Sequence, residues 1–503
     1  MPRLIYLGPA LLLPLAACNP HDDTASSPLD PLELRPLAVD VHRIVDDLDR
    51  EVLLRGVNIT SLGEYWQGSP EHPPTLPTTD EDWDAMAARG LSVVRLVVHW
   101  SRLEPERGQI DSAYLDAIDS YVTAAAEHGI YTVIDMHQDA YSAFIYTPEG
   151  EACPEDARPG KGWDGAPEWA TMTDGRSTCV TGDRNSAPAV VAAWNHFYDN
   201  SDGIRDNFVA AWTAVATRFA QRPEVAGYDL LNEPDTSRFA TELTPLYEGL
   251  LAELVTAIRG AGAEQLIFLE PAIPAGDPSL GLIFPDPGRM GVEPFNLVGS
   301  THNYAESIDT TGLSLEATNS LIWTLAESQD TAVWIGEYGF WSTSSEVLEV
   351  AVRYAADEDV RAQGGAWWQW RQPCGDPHSL HWVDDGWEPI ATVVHLNSLD
   401  CAGGAELGPT EEFFALLSRG YPRAAPGRIQ VLLSDPVSGS LRVEAEAARA
   451  GDAVVLWTPT QDDTHGIWSE GVDELEEHAV TGGRLITAVV ATKGDYVIGV
   501  EPR

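Results

Sequence analysis

Two glutamates stand where proton transfer and nucleophilic attack could be divided between them. Glu233 closes the run Leu231-Asn232-Glu233-Pro234, and Glu337 lies in Gly336-Glu337-Tyr338. One carboxylate at the end of an apolar segment is unremarkable. Two that converge on one bond can protonate a leaving oxygen with one group and attack with the other. Further polar groups recur in similar positions. Arg95 lies in a run that ends at His99-Trp100, and another run passes into Asp135-Met136-His137-Gln138-Asp139. Two more close on His302-Asn303-Tyr304 and Trp367-Trp368-Gln369-Trp370.

The elements that must position these residues are short and apolar. Strand candidates are Val52–Ile59, Ser92–His99, Tyr131–His137, Gly227–Asn232, Leu266–Pro271, Leu297–Tyr304, Ala332–Tyr338 and Gly365–Trp370. They show little polar alternation, as strands covered on both faces should. Between them lie amphipathic segments at Asp80–Arg89, Ala113–Glu127, Val190–Phe219, Thr241–Arg259, Leu315–Glu327 and Glu346–Ala356, with a closing helix at Thr410–Ser418. Eightfold strand–helix alternation predicts an α/β fold, a (β/α)8 TIM barrel over residues 39–420. An open doubly wound sheet is the alternative, but Arg55-Gly56-Val57-Asn58 is no phosphate-binding loop. After Tyr421-Pro422 helical periodicity ends. Short β-type runs at Ile429–Leu433, Leu441–Ala445, Ala453–Trp457, Leu485–Val490 and Tyr496–Val500 predict a small antiparallel β-sandwich over 421–503. Its expected role is to pack against the barrel. In such a barrel Glu233 and Glu337, at the ends of the fourth and seventh strands, face each other across the C-terminal mouth. That is the arrangement needed for two carboxylates to work on one glycosidic bond.

Composition limits the partners. The 503 residues are 44% hydrophobic and carry a net charge of −48, from 78 acidic and 30 basic side chains. Such a surface repels phosphates and anionic headgroups, so no nucleic-acid partner is expected. Residues 1–18 read as a secretory signal: Arg3, an apolar run interrupted by Pro9 and Pro14, and Leu15-Ala16-Ala17-Cys18. The last four resemble the bacterial lipobox, which makes Cys18 the expected lipidation site. An ordinary signal peptide is the alternative. Residues 19–38 follow as a polar tether. The chain is therefore expected to be an exported, membrane-anchored bacterial lipoprotein, at the periplasmic face or cell surface, and monomeric. The remaining cysteines, Cys153, Cys179, Cys374 and Cys401, are even in number and allow three pairings. The local pairs 153–179 and 374–401 are favoured because each brackets loop-like sequence. No metal site is expected, since close CxxC spacing and a supporting histidine pattern are both lacking.

Taken in order, each at its own strand end, these residues resemble glycoside hydrolase family 5 over residues 40–420. The Asn-Glu-Pro after strand four, the Glu after strand seven, and Arg95, His137, His302, Tyr304 and a strand-eight Trp carry the resemblance. Within the family, Arg55-Gly56-Val57-Asn58, the Asp135–Asp139 run and the C-terminal sandwich are most similar to endoglycoceramidases, which free whole glycans from ceramide. The chain departs from them at Glu64, near which they place a lysine. The resemblance implies a retaining, cofactor-free glycosidase acting on a glycan or glycolipid. Glu233 is then the general acid/base and Glu337 the nucleophile. Asn232 meets the sugar 2-OH, and Arg95 and Tyr304 hold Glu337 ionised. His302 assists Glu233, His137 and Asp139 contact sugar hydroxyls, and Trp368 floors the sugar. The two-step use of Glu233 implies a pKa above that of Glu337. An endo-β-glucanase or β-mannanase is the alternative. A non-catalytic surface carbohydrate binder is a remote one, against which the retained glutamates argue.

Overall fold

The computed structural model describes residues 30–234, 238–272, 284–308, 312–383, 386–459 and 464–503. The signal segment, Cys18 and most of the tether lie outside them. Residues 31–503 form one compact unit. Among the described residues no helix is long and apolar enough to cross a membrane.

Eight parallel strands close into the expected barrel: Arg55–Ile59, Val93–Val98, Tyr131–Met136, Val225–Asp229, Leu266–Leu269, Leu297–His302, Ala332–Tyr338 and Gly365–Trp367. Every strand of the eight is buried along nearly its whole length, which is why their sequences run apolar without alternation. The segment expected as one helix, 190–219, is two: Pro188–Tyr198 and Ile204–Phe219. Asn200, Asp202 and Gly203 adopt left-handed backbone between them (φ 53°, 51° and 73°), which ends the first helix and redirects the chain. Both halves keep apolar faces on the barrel, so periodicity alone reads as continuous.

Beyond the barrel, the chain forms two antiparallel sheets. Four strands pair in the order Arg428–Ser434, Leu441–Ala447, Gly494–Pro502 and His465–Glu470. The other sheet has seven strands and recruits the start of the chain. Leu37–Asp40, Arg43–Asp46 and Arg50–Glu51 extend it through Tyr421–Pro426 to Ala453–Thr458, Gly483–Val490 and Val472–Val480. Residues 39–51 therefore belong with the C-terminal sheet rather than with the barrel. The join is a long-range pairing, Ala425 opposite Glu51 and Pro426 opposite Arg50, that no local pattern announces. The sheets dock on the end of the barrel away from its mouth. Tyr421 donates to the carbonyl of Gly90, and Arg423 to those of Leu91 and Gly129, just before the second and third strands. Arg419 is buried there, ion-paired to Glu358 and Asp359.

Both local disulfides are present, Cys153–Cys179 and Cys374–Cys401. The first ties the long segment after the third strand, the second the segment after the eighth. Each staples a loop that reaches the barrel mouth.

Candidate active site

Strand ends bring Glu233, Glu337 and their partners together at the C-terminal mouth. Arg95, fully buried on the second strand, donates to Glu337 Oε1 at 2.8 Å, and the Tyr304 hydroxyl donates to Oε2 at 2.8 Å. Two charge-assisted or polar donors thus fix the Glu337 carboxylate in a dry setting, where such bonds count for more than in water. The Arg95 guanidinium also ion-pairs with Asp135, Asp229 and Glu270, each at 2.9–3.0 Å. Burial opposes its charge, but these four carboxylates raise its pKa well above the usual value. In turn burial pushes Asp135, Asp229 and Glu270 upward, Asp229 to about 6.

Glu233 is held differently. His302 Nδ1 lies 2.8 Å from its Oε1 and Arg184 donates to Oε2 at 2.7 Å. Burial raises its pKa, yet the bond and charge of His302 together with the Arg184 guanidinium outweigh it and hold the carboxyl well below the usual range. The acid/base role implies a Glu233 held up; His302 was its expected partner, but Arg184 had no local signal, and the two together hold the carboxyl down. His302 carries the compensating charge. Burial works against its protonation, but Glu270, Glu337 and Glu233 raise it well above the ordinary histidine value.

Carboxylate oxygens of Glu233 and Glu337 lie within 4.8 Å of each other, with His302 between them. Retaining glycosidases set their carboxyls about 5 Å apart, whereas inverting ones need roughly 6.5–9.5 Å to admit a water.

The other expected residues are also at the mouth. Asn232 Oδ1 accepts from Arg95 at 3.0 Å, and its amide donates to the carbonyl of Gln138. His137 Nδ1 meets Asp135 at 2.7 Å and Nε2 lies 3.3 Å from the Asn232 amide. Burial lowers His137 to about 4, so the ring is neutral. Both its nitrogens have protein partners, and its ring stacks on Trp368 at 5.4 Å. Asp139, too, is occupied: Arg184 pairs with one oxygen and His378 Nε2 lies 3.1 Å from the other. Trp368 faces the site, while Trp367 packs on Tyr338, Phe340 and Phe413, and Trp370 on Phe414. Neighbouring residues of a strand point to opposite faces, which separates Trp368 from Trp367 at the strand end.

Sequence reasoning missed Arg184 and His378, named Gln138 only within its run, and gave no role to Asp135, Asp229 or Glu270. The last three are carboxylates in or just after barrel strands, the position already taken as informative for Glu233. Arg184 and His378 come from the two stapled loops and had no local signal. A row of rings leads outward from there. His378 sits against Trp368 and Trp163, at 5.9 and 5.0 Å. Lys161 lies over both Trp163 and Trp387. Trp387 meets Trp66 at 5.8 Å and Trp382 at 5.2 Å, and Trp66 meets Tyr146. Phe144, Tyr146 and Trp382 are exposed at this edge.

Residues 45–372 match the family model for cellulase (glycosyl hydrolase family 5). Endoglycoceramidase I of Rhodococcus hoagii (strain 103S) is 28% identical over 285 residues, 53% of this chain and 52% of that one. An endoglycoceramidase of Cyanea nozakii is 29% identical over 301 residues, 53% of this chain and 56% of that one. The chain spans about half the length of these curated relatives. The crystal structure of an endogalactoceramidase is similar at a TM-score of 0.82 and 33% identity, over 93% of this chain and 100% of that one.

Proposed function

The chain belongs to glycosyl hydrolase family 5, and from that premise we propose that it is a retaining β-glycosidase that releases the glycan from a glycosphingolipid. The observation that carries the reading is the carboxylate pair: Glu337 clamped by Arg95 and Tyr304, with Glu233 within 4.8 Å and bonded to His302. Glu337 attacks the anomeric carbon while the leaving oxygen takes a proton from Glu233. Water then attacks the glycosyl-enzyme, its proton passing to Glu233 as the bond to Glu337 breaks. Asn232, held by Arg95, is set to meet the sugar 2-OH, and Trp368 to stack beneath the ring.

A lipid aglycone is supported by the endoglycoceramidase relatives and by the apolar rim of Trp66, Tyr146, Trp382 and Trp387 beside the site. Each methylene buried there contributes about 0.8 kcal/mol. The test is kcat/KM for one glycan carried on ceramide against the same glycan on a short alkyl chain. A gain with chain length is expected. No gain, together with ready cleavage of cello- or manno-oligosaccharides, replaces the lipid reading with a polysaccharide one.

Arg184 makes a second expectation. Its positive charge favours ionised Glu233, and the first step needs Glu233 protonated. Arg184→Met should therefore move the alkaline limb of kcat/KM to higher pH, by about one unit. A shift to lower pH would show that Arg184 does not act on this carboxyl.

We further propose that Cys18 anchors the exported enzyme in a membrane, supported by the motif Leu15-Ala16-Ala17-Cys18. One acyl chain binds only marginally, but several hold firmly. Cys18→Ser should release the protein from the membrane fraction, and unchanged fractionation refutes the anchor.

A further inference from the structure

Glu270, just past the fifth strand, contacts Arg95, His302 and the Glu233 backbone. Its side chain is buried, and Oε1 accepts from Arg95 at 2.9 Å. The same oxygen lies 3.3 Å from His302 Nε2, on the far side of the ring from Glu233. Its Oε2 accepts the backbone N–H of Glu233 at 2.7 Å. That last bond matters because Glu233 has φ 38°, a left-handed backbone that a glutamate rarely adopts. Gln138 holds the same peptide from the other side, donating to the carbonyls of Asn232 and Glu233.

We propose that Glu270 is the positioning residue of the acid/base: it pins the strained Glu233 peptide and keeps on His302 the proton that Glu233 delivers to the leaving oxygen. This rests on the retaining-glycosidase reading above. His302 stands between two carboxylates, Glu270 at Nε2 and Glu233 at Nδ1, with Glu337 3.5 Å from Nδ1. The groups facing the His302–Glu233 couple come from the second to the seventh strands. Arg95 lies on the second, Asp135 on the third, Asp229 on the fourth, Glu270 after the fifth and Glu337 on the seventh, while Tyr304 follows the sixth. From the loop, Arg184 pairs with both Glu233 and Asp139. One proton serves this couple and is shared between its members, so it titrates as a pair. In the first step the proton on His302 Nδ1 passes to Glu233 Oε1 and on to the glycosidic oxygen, as the C–O bond breaks and the bond to Glu337 forms. In the second step water's proton returns by the same route. Removing the negative charge of Glu270 weakens the hold on that proton wherever in the couple it resides.

Glu270→Gln keeps the size and one acceptor oxygen but loses the charge. The alkaline limb of kcat/KM should then move to lower pH by about one unit, roughly tenfold in rate along that limb, on a glycoside with an alkoxide leaving group. A dinitrophenyl glycoside, which needs no proton, should change less than about threefold. An unmoved limb, or equal losses on both substrates, overturns the proposal, because a merely structural residue would do the latter. Nitrogen NMR of the His302 ring gives a readout independent of turnover. The ring should be an imidazolium at neutral pH in the free wild-type protein and lose its proton at lower pH in Glu270→Gln. A neutral ring in the wild type sinks the proposal even if the variant does not fold. If instead the wild type forms no covalent adduct with an activated fluoroglycoside, the hydrolase reading fails, while the ring titration still decides the role of Glu270.

Discussion

Glu337→Gln is expected to abolish glycosyl-enzyme formation and lower kcat by roughly 10⁴-fold or more, as loss of a nucleophile does in other covalent mechanisms. The amide is nearly isosteric, so the fold should survive. It cannot attack, and it replaces an ionised acceptor of Arg95 and Tyr304 with a neutral group. The measurement is turnover together with mass spectrometry for a covalent sugar adduct, present in the wild type and missing in the variant. Product NMR of the wild type should show the anomeric configuration retained. An inverted product, or a variant that still forms the adduct, would remove Glu337 from the role of nucleophile.

Glu233→Gln should behave in another way. With a poor leaving group it should lose about 10²–10⁴-fold, because no proton reaches the departing oxygen. With an activated leaving group the first step should be nearly spared, and the second, which needs a base to activate water, becomes limiting. Azide needs no base, so it should restore turnover and yield a glycosyl azide of retained configuration. If Glu337→Gln and Glu233→Gln respond alike to leaving-group pKa and to azide, the two roles are misassigned. The substitution also removes the ionic contacts that this carboxyl makes with Arg184 and His302.

Much of this site was legible because a barrel converts one-dimensional order into a shared mouth. Each strand is short, buried on both faces and followed by its own loop, so a polar residue at its end has one place to go. Glu233, Glu337, Arg95, His302 and Tyr304 were read in that way, and the bonds among them follow from strand order. Glu270 and Asp229 were equally visible but lacked a partner in the sequence to make them stand out. Arg184 and His378 had no such regularity. They sit in loops whose paths depend on disulfides and on packing among Trp163, Trp368 and Trp387, contacts between segments far apart in the chain. The strands at 37–51 were missed for the same reason: their partners lie at 421–426.

By itself the sequence indicated the barrel, favoured the local disulfide pairs among three possible pairings, and placed Glu233 and Glu337 at the ends of the fourth and seventh strands. These depend on local periodicity, on cysteine spacing and on which residue ends which strand, all of them properties of short segments. Only the tertiary structure decided the charge state that the pair sees. Whether Glu233 is held up by burial or down by cations depends on where Arg184 and His302 come to rest, 2.7 and 2.8 Å from its carboxylate, and on Glu270, 3.3 Å from His302. Electrostatic effects in a dry site follow distance and burial, and neither is a property of a segment read alone.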